Sequence, residues 1–139
     1  MTKDIAPYGS WKSSITADLM VEGARPILEV NVTAEAVFWL ELRPSEGGRS
    51  ALMCADHEGA VTEVSPSDWN IRTRVHEYGG GAILAEQDYL FGVRCSDQRI
   101  YAMTQAPTPV TAAGARFADF RVDRTRQRLI TVRERHHDE

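Results

Sequence analysis

An all-β fold is predicted by three features of the sequence. From Arg25 onward, runs of four to eight residues rich in Val, Ile, Leu and aromatics alternate with Gly, Pro, Ser and Asp clusters. The runs fall into sets of four, and no segment in that region sustains the length and 3.6-residue period of a helix. A chain of 139 residues is long enough for one domain, and at that size folding buries roughly 68 % of the surface that the unfolded chain exposes. With 42 % hydrophobic and 26 % charged residues, composition excludes wholesale disorder and fibrous repeats.

Taken in order, Ser13-Ser14-Ile15-Thr16-Ala17-Asp18-Leu19-Met20 offers hydroxyl N-caps, an acid in the first turn and spaced apolar residues closed by Gly23, which predicts one short helix. The strand candidates of the first set are residues 27–33, 37–42, 51–55 and 60–64. A longer connection, 65–78, leads to a second set at 81–85, 89–93, 99–103 and 109–111, and a third set begins with 117–122 and 128–133. Short turn-prone joints such as Glu46-Gly47-Gly48-Arg49 and His57-Glu58-Gly59 fit antiparallel hairpins. Four short antiparallel strands recurring at about 40–50 residues define the blade of a β-propeller.

The predicted architecture is therefore a partial β-propeller of about two and a half four-stranded antiparallel blades, preceded by a short N-terminal helix. Residues 1–24 form the extension, 25–65 blade 1, 66–80 the inter-blade connection, 81–112 blade 2 and 113–139 an incomplete blade 3. Propellers close with about four to eight blades, so one copy cannot complete a ring. The last strand then leaves an open edge, and the chain is expected to be a fragment of a longer protein.

A net charge of −4 gives no electrostatic pull toward nucleic acid or an anionic membrane. The late arginines, from Arg116 to Arg135, are interleaved with Asp119, Asp123, Glu134, Asp138 and Glu139 and read as a mixed-charge solvated face. The longest uncharged apolar run, Ala36 to Leu40, is far short of a membrane span, and Met1-Thr2-Lys3-Asp4 does not start a secretory signal. Cys54 and Cys95 lack metal-ligand or redox spacing, and the expected compartment is the cytoplasm.

Three stretches carry a family resemblance: Ala6-Pro7-Tyr8-Gly9-Ser10-Trp11-Lys12-Ser13, then Asn70-Ile71-Arg72-Thr73-Arg74-Val75-His76-Glu77-Tyr78-Gly79-Gly80-Gly81-Ala82, then Ser96-Asp97-Gln98-Arg99-Ile100-Tyr101. Together they resemble the N-terminal propeller of the prolyl oligopeptidase family, in its acylaminoacyl peptidase and dipeptidyl aminopeptidase-like branch. The resemblance implies a serine peptidase whose propeller sits over a C-terminal α/β-hydrolase domain and restricts access to short peptides. It also implies that the catalytic serine, acid and histidine lie in that domain, outside this chain.

The residues themselves agree. No Gly-x-Ser-x-Gly elbow is present, so no catalytic residue is assigned. His76 with Gly79-Gly80-Gly81 superficially resembles an oxyanion loop, but Glu77 and Tyr78 intervene; the glycines instead let the chain enter blade 2 close to the propeller axis. His57, His136 and His137 show no zinc-like spacing, and neither a metal nor a cofactor is expected. The aromatic residues Trp11, Phe38, Trp39, Trp69 and Tyr89 are expected to pack between blades.

The candidate substrate-binding or domain-interface residues are Arg72, Arg74, His76, Glu77 and Tyr78, on the blade connection beside Arg43–Arg49 and Arg94–Gln98. Two roles stay open for Glu77: pairing with the free amino terminus of a peptide while Arg72 or Arg74 meets a carboxylate, or pairing with an arginine to hold the blade junction. The expected partners are short peptides and the hydrolase domain. The alternative is a stand-alone scaffold self-associating through open blade edges.

Overall fold

The computed structural model describes residues 5–10 and 12–136. Trp11, His137, Asp138 and Glu139 lie outside the described residues. The short helix is present as α1, Ala17–Val21, and Thr16 caps it by accepting a hydrogen bond from the Leu19 N–H at 3.1 Å. Among the described residues, no helix is long and apolar enough to cross a membrane.

Three antiparallel sheets follow, two of four strands and one of two. Blade 1 is the meander β1 (Ile27–Val32), β2 (Ala36–Arg43), β3 (Arg49–Asp56) and β4 (Val61–Glu63). Blade 2 repeats it with β5 (Ile83–Glu86), β6 (Tyr89–Val93), β7 (Ile100–Ala102) and β8 (Thr108–Pro109). The third sheet pairs β9 (Arg116–Asp123) with β10 (Arg128–Glu134).

Local chemistry closes each hairpin. The β2–β3 joint passes through a 3-10 turn led by Pro44 and then Gly47 at φ 69°, a left-handed conformation that glycine adopts without strain. In the β3–β4 joint, the Asp56 carboxylate accepts from the Glu58 and Ala60 N–H groups, both at 2.9 Å. Asp123 plays the same part before β10, accepting from the Arg126 N–H at 3.2 Å.

The first strands of the three sheets lie side by side, β5 between β1 and β9, which is the relation of inner strands in successive propeller blades. Two apolar layers fill the gaps. Leu40, Leu52, Ile71, Ala82, Ile83, Tyr101 and Met103 join blades 1 and 2. Leu84, Val93, Ile100, Ala115, Phe117 and Phe120 join blade 2 to the third sheet. Burying each of the larger side chains contributes about 1.5–3 kcal/mol, so the interfaces between blades carry the stability of the array.

At the inner edge, side chains replace sheet bonds. The Glu29 carboxylate accepts from the Ala82 N–H at 2.8 Å, the Asn31 amide oxygen accepts from the Ala85 N–H at 3.1 Å, and Asp119 accepts from the Gly81 N–H at 2.9 Å. This explains why β5 begins at Ile83 and not at Gly81 as the sequence predicts. A Cβ on Gly81 would stand 2.9 Å from the Asp119 Oδ1, so any larger residue there would have to displace the carboxylate that accepts from the Gly81 N–H. At β8 the strand is Thr108–Pro109 in place of the expected 109–111, because Thr111 instead bonds the Ile100 N–H through its hydroxyl at 3.0 Å and the Arg99 Nε through its carbonyl at 2.7 Å.

Candidate functional site

The segment from Ile71 to Tyr78 is built on alternation. Ile71, Thr73 and Val75 are buried, while Arg72, Arg74 and His76 point outward. Backbone pairing holds the start of it: the Ile71 N–H donates to the Ser50 carbonyl and the Arg72 N–H to the Val93 carbonyl, both at 2.9 Å. Gln98 extends the clasp, its Oε1 accepting from the Arg74 N–H at 2.7 Å and its Nε2 donating to the carbonyls of Arg72 and Cys95. The connection is thereby fixed to the loop that follows β6, alongside Arg94 to Gln98.

Thr73 ties the same segment to the third sheet. Its buried hydroxyl donates to the Phe117 carbonyl at 2.6 Å, across 44 positions of sequence, and accepts from the Val75 N–H at 3.3 Å.

The chain then turns sharply. His76 and Glu77 both adopt left-handed backbone, with φ of 54° and 63°, a conformation that costs non-glycine residues about 1–3 kcal/mol each and persists only where its surroundings enforce it. Those surroundings come from β9 and β10. The Glu134 carboxylate accepts from the His76 N–H at 3.0 Å, and Arg116 donates both to the Arg74 carbonyl at 2.9 Å and to the Glu77 carboxylate.

Around this turn the charges alternate. Glu77 is flanked by Arg116 and, at 3.7 Å, by Arg74. Glu134 stands 3.6 Å from Arg116, 3.5 Å from the His76 Nδ1 and 3.2 Å from the His136 Nε2. The Arg116 hydrogen bond holds the Glu77 carboxyl below its ordinary range. For Glu134, burial pushes upward, but the His76 N–H and the His136 imidazole outweigh it and the carboxyl is lowered.

The five residues singled out from sequence thus share one surface, but not one role. Glu77 and Arg74 are occupied with each other and with Arg116, the arginine-pairing arrangement among the two that the sequence left open. Arg72 and Tyr78 have no ion-pair or side-chain hydrogen-bond partner among the described residues. Tyr78 is 94 % exposed. Both line a recess of about 330 Å³ whose floor is Leu40, Ser50, Ile71 and Thr73. Arg72 supplies a cation there and Tyr78 an aromatic wall, a combination suited to the carboxylate and side chain of a peptide.

Sequence reasoning did not place Arg116 or Glu134 in this site, since they arrive from β9 and β10, 39 and 58 positions from Glu77 and His76, nor His136, which follows β10 and meets Glu134. It also missed the cage around Arg94, whose guanidinium lies 4.8 Å from the Trp69 ring and 4.9 Å from the Tyr101 ring and pairs with Asp97. The Tyr101 hydroxyl donates to the same Asp97 at 2.7 Å. The only advance signal was Asp97 within the Ser96-Asp97-Gln98-Arg99 turn.

Successive meanders with adjacent inner strands and apolar layers between them define a segment of a β-propeller. No protein-family model matches the sequence, and no curated protein matches it significantly. Solved structures do. A crystal structure of puromycin hydrolase is 31% identical with a TM-score of 0.72, the match covering 89% of this chain and 21% of that one. A serine-to-alanine mutant of puromycin hydrolase complexed with PGG matches over the same shares at 31% identity and a TM-score of 0.73. A puromycin-hydrolyzing peptidase of Mycobacterium tuberculosis matches at 30% identity and a TM-score of 0.70, over 88% of this chain and 20% of that one. The chain therefore spans about a fifth of the length of these peptidases. The match fits the propeller resemblance that the sequence motifs carry.

Proposed function

We propose that this chain is the non-catalytic propeller portion of a cytoplasmic serine peptidase of the acylaminoacyl or dipeptidyl aminopeptidase-like branch, gating and helping to bind short peptides for a C-terminal α/β-hydrolase domain. The observation that carries the reading is the 31% identity to puromycin hydrolase over 89% of this chain, with only 21% of that enzyme covered. The recess between Arg72 and Tyr78 is the surface that meets the peptide. The Arg74–Glu77–Arg116–Glu134 cluster sets the position of that rim, and Glu77, still more than half exposed, keeps a free edge for a peptide amino terminus.

The test is made in a full-length peptidase carrying this propeller. Arg72→Met and Glu77→Gln are expected to raise KM for short peptides with free termini while leaving kcat for a minimal unblocked ester within about twofold, the pattern of a binding and not a chemical role. Unchanged selectivity between free and blocked termini in both variants refutes the proposed contact.

A further inference from the structure

The recess walled by Arg72 and Tyr78 is lined entirely by residues between positions 28 and 82, in blade 1 and the connection into blade 2, whose strands are all present. Register sets Ser50 opposite Leu42 and Leu52 opposite Leu40, so these four side chains share the face of blade 1 that turns toward blade 2. Leu40 and Leu52 pack into the core between the blades, and Ser50 and Leu42 continue the same face into the recess. Exposure falls from 94% at Tyr78 on the rim to 2% at Ser50 on the floor.

The backbone of Ser50 is fixed on both sides: its N–H donates to the Asn70 Oδ1 at 3.0 Å, and its carbonyl accepts from the Ile71 N–H at 2.9 Å. Its hydroxyl has no hydrogen-bond partner among the described residues. The other buried hydroxyls are occupied. That of Thr73, on the same floor, donates to the Phe117 carbonyl and accepts from the Val75 N–H, that of Ser65 accepts from the Leu52 N–H, and that of Tyr101 donates to Asp97. A serine hydroxyl donates one bond and accepts two, and burial makes leaving them unmade costly, so the floor of the recess is built to meet a polar atom.

Around that hydroxyl the floor is apolar, with Leu40 and Ile71, and the Glu29 carboxylate in the lining is already committed to the Ala82 N–H at 2.8 Å. Such a floor suits a side chain with an apolar body and one polar tip and rejects a charged one, whose hydration nothing there replaces. A phenol meets that description: its ring packs on Leu40, Ile71 and Tyr78 while its hydroxyl pairs with Ser50. A volume of about 330 Å³ is at the small end for ligand pockets, room for one residue and not for a longer stretch of peptide. Arg72, on the rim, then meets the carboxylate of that same residue. We propose that the recess takes the C-terminal tyrosine of a short peptide, with Ser50 as the residue that selects the phenol and Arg72 as the one that holds the terminal carboxylate. The proposal rests on the reading of this recess as the peptide-binding surface.

The test is a titration of the purified chain with glycyl-tyrosine, glycyl-phenylalanine and glycyl-tyrosine amide, read by NMR from the backbone amide signals of Ser50, Ile71, Gly79 and Gly80. Glycyl-tyrosine is expected to bind about five- to tenfold more tightly than glycyl-phenylalanine, the worth of one net hydrogen bond, and more tightly than its own amide. Ser50→Ala is expected to abolish the preference for tyrosine while leaving glycyl-phenylalanine within about twofold. Because the hydroxyl has no partner in the protein, that variant keeps the wild-type melting temperature, which circular dichroism checks. Arg72→Met is expected to weaken both dipeptides alike and to remove the difference between acid and amide. Equal affinity for the two dipeptides, a tyrosine preference that survives Ser50→Ala, or loss of glycyl-phenylalanine binding in that variant overturns the role of Ser50 and leaves the peptide-binding reading standing. If none of the three probes moves these signals in the wild type, the peptide-binding reading itself fails, and the proposal with it.

Discussion

Replacing Thr73 with valine isolates the bond that joins the blade connection to the third sheet. Valine keeps the shape and removes the hydroxyl, so packing is preserved while the Phe117 carbonyl, 2.6 Å away, and the Val75 N–H, 3.3 Å away, lose their partner. Thr73 is 1% exposed, which denies water access to either group. An unsatisfied buried polar group costs about 1–3 kcal/mol, and with the shorter bond dominating, the expected loss is about 2.5 kcal/mol. At about 2.1 cal/mol/K per residue this lowers the melting temperature by roughly 9 °C for a chain of 139 residues. Thr73→Ser, which keeps the hydroxyl and drops one methyl, should lose only about 1 kcal/mol. Both are read by thermal and urea unfolding followed by circular dichroism. A valine variant within about 0.5 kcal/mol of wild type, or a serine variant that is the worse of the two, refutes the assignment of that energy to the hydrogen bond.

Other outcomes follow from the same contacts. Gly81→Ala should destabilise by about 1–3 kcal/mol because its Cβ meets the Asp119 carboxylate, and adding Asp119→Ala should recover part of the loss in a double-mutant cycle of unfolding free energies. Arg94→Lys keeps the charge but loses the planar guanidinium lying against the mutually touching Trp69 and Tyr101 rings, and should cost about 1–2 kcal/mol with a change in tryptophan emission. For Glu41, Glu63 and Asp97, burial pushes each carboxyl upward, but hydrogen bonds from Arg25 and Arg43, from Arg49, and from Arg94 and Tyr101 respectively outweigh it and all three lie below their ordinary values. A lowered acid contributes stability above its unfolded-state value, so that stability is lost as pH falls through the folded values, below the ordinary 4.5 of glutamate and 3.8 of aspartate. Glu29, raised chiefly by burial, contributes with the opposite sign. Thermal melts across the acid range should therefore fall with pH, and Glu63→Gln should flatten the fall.

The strands were legible because each is a local pattern: Tyr89 to Val93 reads as a strand from its own residues and is one. Their grouping into blades was legible from turn spacing, since a meander joins only neighbours in sequence. Strand ends were not. Ile83 opens β5 only because Glu29 and Asp119, from other blades, take the N–H groups just before it. The rim showed the same division. Arg72 to Tyr78 stood out as an unusual local run, but its left-handed turn at His76 and Glu77 is enforced by Arg116 and Glu134, whose approach is a property of blade stacking and leaves no trace in local spacing. Among the late arginines, Arg126 and Arg128 match the mixed-charge surface read from sequence, since Asp123 meets both within one hairpin, whereas Arg124 reaches Glu86 of another blade and Arg116 is mostly buried against Glu77 and Glu134.

That this chain carries no reactive serine of its own, as the proposed reading requires, is tested most directly by exposing the purified protein to a serine-directed phosphonylating probe and measuring its intact mass. The account expects the mass to stay unmodified while a puromycin-hydrolysing enzyme in the same tube is labelled. Stoichiometric, saturable labelling of one serine in this chain, abolished by unfolding, would contradict it.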